Sequence, residues 1–418
     1  MTPYSSLCWA CRSELVVRAY LTVWRLPSAP VLLLAGFAGR LPSAMVPLAL
    51  LLMVQEQTGS YAVAGLAAAT YGLAMAGMAP VLGRLADRRS PRPVLLVQAA
   101  AYPVLLALLV AAVLGGAPVA AVVVASAAAG AGTPLVSGTV RALWSRVDPR
   151  VRTTAYALDA TATELVFVAG PTVVAVLAVL AAPAWALGVA GVLATGGALG
   201  IATSRALGDW VPAPALDRRG PLATVLAPGM PRVLASGSAL MLGFGALEVA
   251  IPAFADEAGS PGMSGVLLAL WSLGSVAGGL WFGARVVSVA LPRQYRWLLL
   301  GVTIGLAPLT AASSPWVLGA LLFLGGTAIA PTLTVQNSLV GTIAPAHAAT
   351  EAFTWLSTMA TGSSAVGAAL GGALIEGPAG VNGSLLLAVG GAALAVAATL
   401  VPGRWGTAAG AMRTSVPA

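Results

Sequence analysis

Twelve runs of this chain are apolar and long enough to cross about 30 Å of hydrocarbon at about 1.5 Å of rise per helical residue. The first six are Val31 to Val54, Ala62 to Leu82, Val94 to Leu114, Val119 to Val140, Ala155 to Leu180 and Trp185 to Ser204. After a more polar stretch come Val233 to Phe254, Ser264 to Phe282, Tyr295 to Ala312, Trp316 to Val335, Phe353 to Ile375 and Leu385 to Val401. Only 8% of the residues are charged, against about 25% in an ordinary soluble domain, so the chain lacks the polar surface to hold its apolar residues away from water. Soluble enzyme folds are excluded, and so is a β-barrel, because runs such as Val119 to Ala131 do not alternate. The expected fold is an all-α integral membrane protein of twelve transmembrane helices, tightly packed through its many Gly and Ala residues.

All 21 basic residues are arginine. Arg12, Arg18 and Arg25 precede span one, Arg84 to Arg92 follow span two, and Arg141 to Arg152 follow span four. Arg205, Arg218, Arg219 and Arg232 join spans six and seven, Arg285, Arg293 and Arg296 follow span eight, and Arg404 and Arg413 lie in the tail. With twelve spans these fall on one side, which the positive-inside rule makes cytoplasmic. The opposite loops carry Glu56, Asp256, Glu257 and Glu376 and no arginine. One span more or fewer would scatter the arginines over both faces. The net charge of +8 therefore reports topology, not nucleic-acid binding. The expected organisation is a cytoplasmic lead at 1–30, a six-helix bundle at 31–204, a linker at 205–232, a second bundle at 233–402 and a tail at 403–418. The expected location is the inner (plasma) membrane, as a monomer with both termini cytoplasmic.

Without lysine the chain has neither a Walker A lysine nor a Schiff-base lysine. One histidine, His347, and two cysteines, Cys8 and Cys11, leave haem, zinc and iron-sulfur sites without ligands, so neither cofactor nor metal is expected. Cys8-Trp9-Ala10-Cys11 has no second ligand pair. Glu14 and Arg18 interrupt any signal-peptide pattern. No catalytic constellation is visible, so the chain is not expected to be an enzyme.

The halves repeat. Gly59, Ser60, Gly65, Leu73 and Gly83 recur 200 residues on as Gly259, Ser260, Gly265, Leu273 and Gly283, with Tyr71 matched by Trp271. At an offset of 197, Pro134, Thr161 and Gly170 recur as Pro331, Thr358 and Gly367, with Tyr156 matched by Phe353. Two parallel repeats of six spans are the plan of a secondary transporter with its site between the halves.

After span two the sequence reads Gly83-Arg84-Leu85-Ala86-Asp87-Arg88-Arg89-Ser90-Pro91-Arg92. Here the chain resembles the major facilitator superfamily, whose loop between spans two and three carries Gly-x-Leu-Ala-Asp-Arg-x-Gly-Arg-Arg/Lys. Gly83, Leu85, Ala86, Asp87, Arg88 and Arg92 match, while Ser90 and Pro91 depart. The resemblance implies a conformational latch built on Gly83, Asp87, Arg88 and Arg92, with the acid near the start of span eleven, close to Thr350 and Phe353. The alternative is that the arginines, Arg84 and Arg89 above all, only fix topology. Gly170-Pro171 resembles the centre of an antiporter pattern, although Val166, Val174 and Ala175 occupy its other glycine positions, and predicts a helix kink.

Four ionisable residues fall within the spans: Arg40, Asp159, Glu164 and Glu248. Each costs about 2.5 to 3.5 kcal/mol at a helix centre when charged, so each should face a partner or a water-filled cavity. Arg40 and Glu164 each lie nine residues into spans running the same way, which predicts a pair between them, either proton-coupled or static. Asp159, about 140° round the helix from Glu164, is expected to meet Arg141 or Arg152. Glu248 has no basic residue at its depth and suits a proton carrier or a neutral hydrogen-bond donor. The family's drug-proton antiporters often carry an arginine within span four. Arg141 falls at the end of that span here, so Arg40 is the candidate substitute. Thr133, Ser137, Gln336 and Asn337 either line a solute cavity or bond helix to helix.

These features imply a secondary transporter working by alternating access, and the resemblance implies a bacterial, efflux-like branch that exports small organic compounds in exchange for protons. The other readings are proton-coupled uptake of a metabolite and a membrane sensor or scaffold that no longer transports.

Overall fold

The computed structural model describes residues 20–208, 210, 223–285, 289–345 and 347–401. Cys8, Cys11, Arg218, Arg219, Arg404 and Arg413, and with them most of the lead, part of the linker and the tail, lie outside the described residues. Among the described residues, twelve transverse helical segments form two six-helix bundles. In the first half they are Ala29–Thr58, Tyr61–Arg89, Pro91–Leu114, Val119–Trp144, Pro149–Leu180 and Pro183–Ala202. In the second they are Met230–Glu257, Ser264–Gly283, Leu291–Ala311, Pro315–Ile343, Ala349–Glu376 and Gly380–Leu400. Eleven are long and apolar enough to cross a membrane as helices. The other, span nine, is a 16-residue α-helix, Leu291–Leu306, extended by a 3-10 turn at Ala307–Ala311.

The repeat is visible in backbone geometry. Gly59 ends span one at φ 68°, and its counterpart Gly259 stands just beyond span seven at φ 66°, a left-handed conformation that costs glycine little. Gly83 packs on span eleven, where an added Cβ would come within 3.1 Å of Glu351 Cα. Its counterpart Gly283 packs on span five, against Ala157.

Three expectations are corrected. Span five begins at Pro149, six residues before the expected Ala155, because Asp148 accepts from the Arg150 amide at 2.8 Å and Pro149 suits a first helical turn. The Gly83 motif is helical through Arg89, so Gly83 permits close packing and the chain turns at Ser90, which accepts from the Arg92 amide at 3.3 Å as Pro91 opens span three. Span four is not continuous: Val119–Ala131 and Val136–Trp144 are separated at Gly132 to Leu135, where Pro134 has no amide to donate. Span ten breaks between Gly326 and Ile329 in the same way.

The halves meet at the end that carries the arginines, here termed the basic face. Thr154 Oγ1 donates to Gly283 O at 2.7 Å and Thr358 Oγ1 to Ala76 O at 2.6 Å, both across the junction. Toward the opposite face Gly65 and Gly72 on span two, and Gly362 and Gly372 on span eleven, have open space where a side chain would stand. The junction is thus a wedge, closed at the basic face.

Candidate functional site

Near the middle of the first bundle Asp159 joins two arginines. Arg40 Nη2 donates to Asp159 Oδ1 at 2.5 Å and Arg141 Nε to Oδ2 at 3.1 Å, while Arg40 Nη1 reaches Thr163 Oγ1 at 3.3 Å. Arg40 and Asp159 are 4% and 1% exposed, so the carboxylate is compensated by direct ion pairs rather than by water. Arg141 extends to the other half, where Nη1 donates to Ser357 Oγ on span eleven at 3.4 Å. The triad links spans one, four and five and touches the second bundle.

The expected Arg40–Glu164 pair does not form. Counted from the actual helix starts, Arg40 is the twelfth residue of span one and Asp159 the eleventh of span five, so the matched depth belongs to Asp159. Glu164 faces about 140° away and cannot share that partner. Nor is Arg141 merely terminal: the second part of span four runs on to Trp144, and Arg141 points inward from it. Span four thus supplies an arginine, and Arg40 works beside it instead of replacing it.

Glu164 faces the second bundle. Its carboxyl points to the buried Ser275 hydroxyl of span eight, which has no partner within hydrogen-bond distance, and lies within electrostatic range of Glu248 on span seven. Glu248 is exposed on its helix. Two carboxyls from opposite halves thus lie within electrostatic range of each other, and neither belongs to the arginine triad.

At the basic face Asp87, 3% exposed, accepts from the amides of Thr350 at 3.1 Å and Glu351 at 2.8 Å. These are among the first free N–H groups of span eleven, at the positive end of its dipole. Two participants have no signal in the family motif. Glu351, in that same first turn, lies within electrostatic range of Arg84 and Arg88. Arg146, between spans four and five, stacks 3.8 Å over the Trp210 ring; burial pushes its guanidinium pKa below the ordinary value, and the nearby Asp87 carboxylate opposes that shift. Arg84, Arg88, Asp87 and Glu351 line a cavity of about 310 Å³ together with His347 and Thr224. Arg92 is exposed on the first turn of span three.

The break in span four is closed by a residue that sequence reasoning did not select. Gln98 on span three donates from Nε2 to Thr133 O at 2.8 Å and accepts at Oε1 from the Leu135 amide at 3.1 Å, satisfying two of the backbone groups that the interruption frees. Thr133 Oγ1 lies 3.1 Å from Tyr71 Oη, which lies 2.8 Å from Tyr102 Oη. Ser137 is half-buried one turn on. Gln336 Nε2 reaches Val233 O on span seven at 3.5 Å, a helix-to-helix contact, and Asn337 beside it is 4% exposed. Gly170 packs on span one, where a Cβ would stand 2.7 Å from that of Ala44, and Pro171 lies inside the helix.

Residues 32–284 match the sequence profile of the Major Facilitator Superfamily. The chain belongs to the Major Facilitator Superfamily. No curated protein sequence matches it. Solved structures of this superfamily's fold superpose over nearly the whole chain. A bacterial homologue of the iron transporter ferroportin in an outward-facing state gives a TM-score of 0.70 at 15% identity, covering 93% of this chain and 98% of that one. FucP in its outward conformation gives 0.70 at 14% identity, covering 90% and 98%. The human organic anion transporter MFSD10 gives 0.68 at 18% identity, covering 93% and 99%. At these identities the likeness is one of fold.

Proposed function

We propose that this member of the superfamily is a proton-coupled exporter of small organic compounds working by alternating access, with the basic face in the cytoplasm and the wedge open to the outside. The observation that carries this reading is the closed basic face, latched by Asp87 on span eleven, above which Glu164 faces the second bundle within electrostatic range of Glu248. Like charges resist approach, and a proton taken up by either carboxyl relieves that resistance. Protonation from the open side would let the halves close there and the latch release, turning the pair toward the cytoplasm. The Arg40–Asp159–Arg141 triad ties the same movement to spans one and four, through Arg141 and Ser357.

The test is a solute screen for proton release in everted vesicles containing this protein alone. Solute-dependent proton movement that vanishes in Glu164→Gln is expected. Flux that needs no proton gradient would overturn the coupling, and accumulation in the uptake direction would overturn export. Orientation is tested separately in a variant lacking Cys8 and Cys11: a thiol placed at Arg150 should escape an impermeant reagent in intact cells.

A further inference from the structure

Two carbonyls at the basic end of span eight are capped from the first half. Tyr20, half-buried in the segment before span one, donates its hydroxyl to Leu280 O, and Thr154 on span five donates to Gly283 O at 2.7 Å. Both acceptors stand in the last turn of span eight, among the carbonyls that its own amides do not reach. Gly283 makes room for the tyrosine, since a Cβ there would stand 2.8 Å from Tyr20 Oη. Burial pushes the phenol up to about 12, so the proton stays on the donor.

The segment is tied to span one. Turn hydrogen bonds run from Arg25 N to Leu21 O at 2.9 Å, from Leu26 N to Val23 O at 3.0 Å and from Ala29 N to Leu26 O at 3.0 Å, and Val23 is fully buried. Span eight lies on span five along one seam: Gly283 faces Ala157, a Cβ on Gly279 would stand 2.9 Å from Thr161 Oγ1, and Ser275 faces Glu164. Tyr20 holds the basic end of this seam. On the other side of the junction Asp87 fastens span two to span eleven, but the residue 200 positions on from Asp87 is Val287, which has no carboxylate to play that part for span eight.

We infer that residues 20–28 form a strap that holds the halves together at the basic face, with the Tyr20 hydroxyl as its fastening to span eight. For that face to open, span eight must leave span five, and the bond from Tyr20 to Leu280 must break with the seam. The strap therefore sets how much of the protein has an open basic face. The inference rests on the alternating access proposed above, and not on its proton coupling, its solute or its direction.

Distances between spin labels on Arg150→Cys and Arg285→Cys, in the full chain lacking Cys8 and Cys11, test it. Both positions are exposed at the basic face, one on span five and one just beyond span eight. The measurement needs neither solute nor proton gradient, so failure of the export reading leaves its outcome intact. Tyr20→Phe, which keeps the ring and loses only the donor, should raise the ratio of long to short distances about fivefold. Tyr20→Ala should raise it at least as far. Trp24→Ala, at an exposed neighbour in the same segment, should leave it at the starting value. An unchanged ratio in Tyr20→Phe would overturn the proposal, whatever Tyr20→Ala does. An equal rise in Trp24→Ala would do so too, because any disturbance of the segment would then suffice.

Discussion

Tyr156 and Phe353 occupy equivalent positions in the two halves, and their rings meet at 6.0 Å between centroids, tilted by 50°, across the closed end of the junction. Both are fully buried. Contact between repeat mates places them beside the axis that relates the bundles, so separation of the halves at the basic face must part them. Around this contact the two glycines Gly83 and Gly283 let span two approach span eleven and span eight approach span five. The seal is thus built from paired elements, with the Asp87 latch added on one side only.

Asp87→Ala should weaken that seal. It removes two hydrogen bonds from a carboxylate to the N-terminus of span eleven, each worth about 1.5 to 3 kcal/mol when one partner is charged. Distances between spin labels on spans two and eleven at the basic face should shift to a longer population. An unchanged distribution would show that packing alone holds the face shut.

Gly83→Leu should have the same effect by bulk, since even a Cβ there crowds Glu351 and Thr354. Gly72→Ala, where space is open, serves as the control and should leave transport near the wild-type level. If both variants transport equally well, the close approach at Gly83 is not required during the cycle.

Asp159→Asn leaves the buried Arg40 and the half-buried Arg141 without their compensating charge, and should cost about 3 to 5 kcal/mol of stability. Thermal unfolding in detergent reads this as a lower Tm. Arg40→Met and Arg141→Met combined with Asp159→Leu should recover much of the loss, because an apolar triad demands no compensation. A triple variant no better than the single one would mean that the triad has partners beyond these three residues.

The carboxyl pair makes a prediction about pH rather than stability. Glu164→Gln and Glu248→Gln should each flatten the pH dependence of solute flux, since either substitution removes one of two proton sites within electrostatic range of each other. A profile identical to wild type in both would exclude the pair from coupling.

Gln98→Leu tests the break in span four. It strands the Thr133 carbonyl and the Leu135 amide where no water replaces the lost partners, at about 1 to 3 kcal/mol for each unsatisfied group. The expected readout is a clear fall in Tm, whereas a neutral effect would mean that span four rewinds.

Hydropathy and arginine placement together determined the number of crossings and the two six-helix halves, because insertion into hydrocarbon is decided locally, residue by residue along each segment. The resemblance carried by the Gly83 to Arg92 pattern implied Asp87 near the start of span eleven, where it accepts from the Thr350 and Glu351 amides. Partner choice within the bundle was not legible. The sequence pointed Arg40 at Glu164, but helix starts set by Asp148 and Pro149 shifted span five by six residues and brought Asp159 to that depth instead. Glu351, Arg146 and Gln98 gave no signal as single residues. Each acts on a group far away in the chain, and only the packing of helices brings such groups within reach. What crosses the membrane is a property of individual segments and can be read along the chain; which side chains meet inside depends on helix phase and register, which the assembled bundles alone fix.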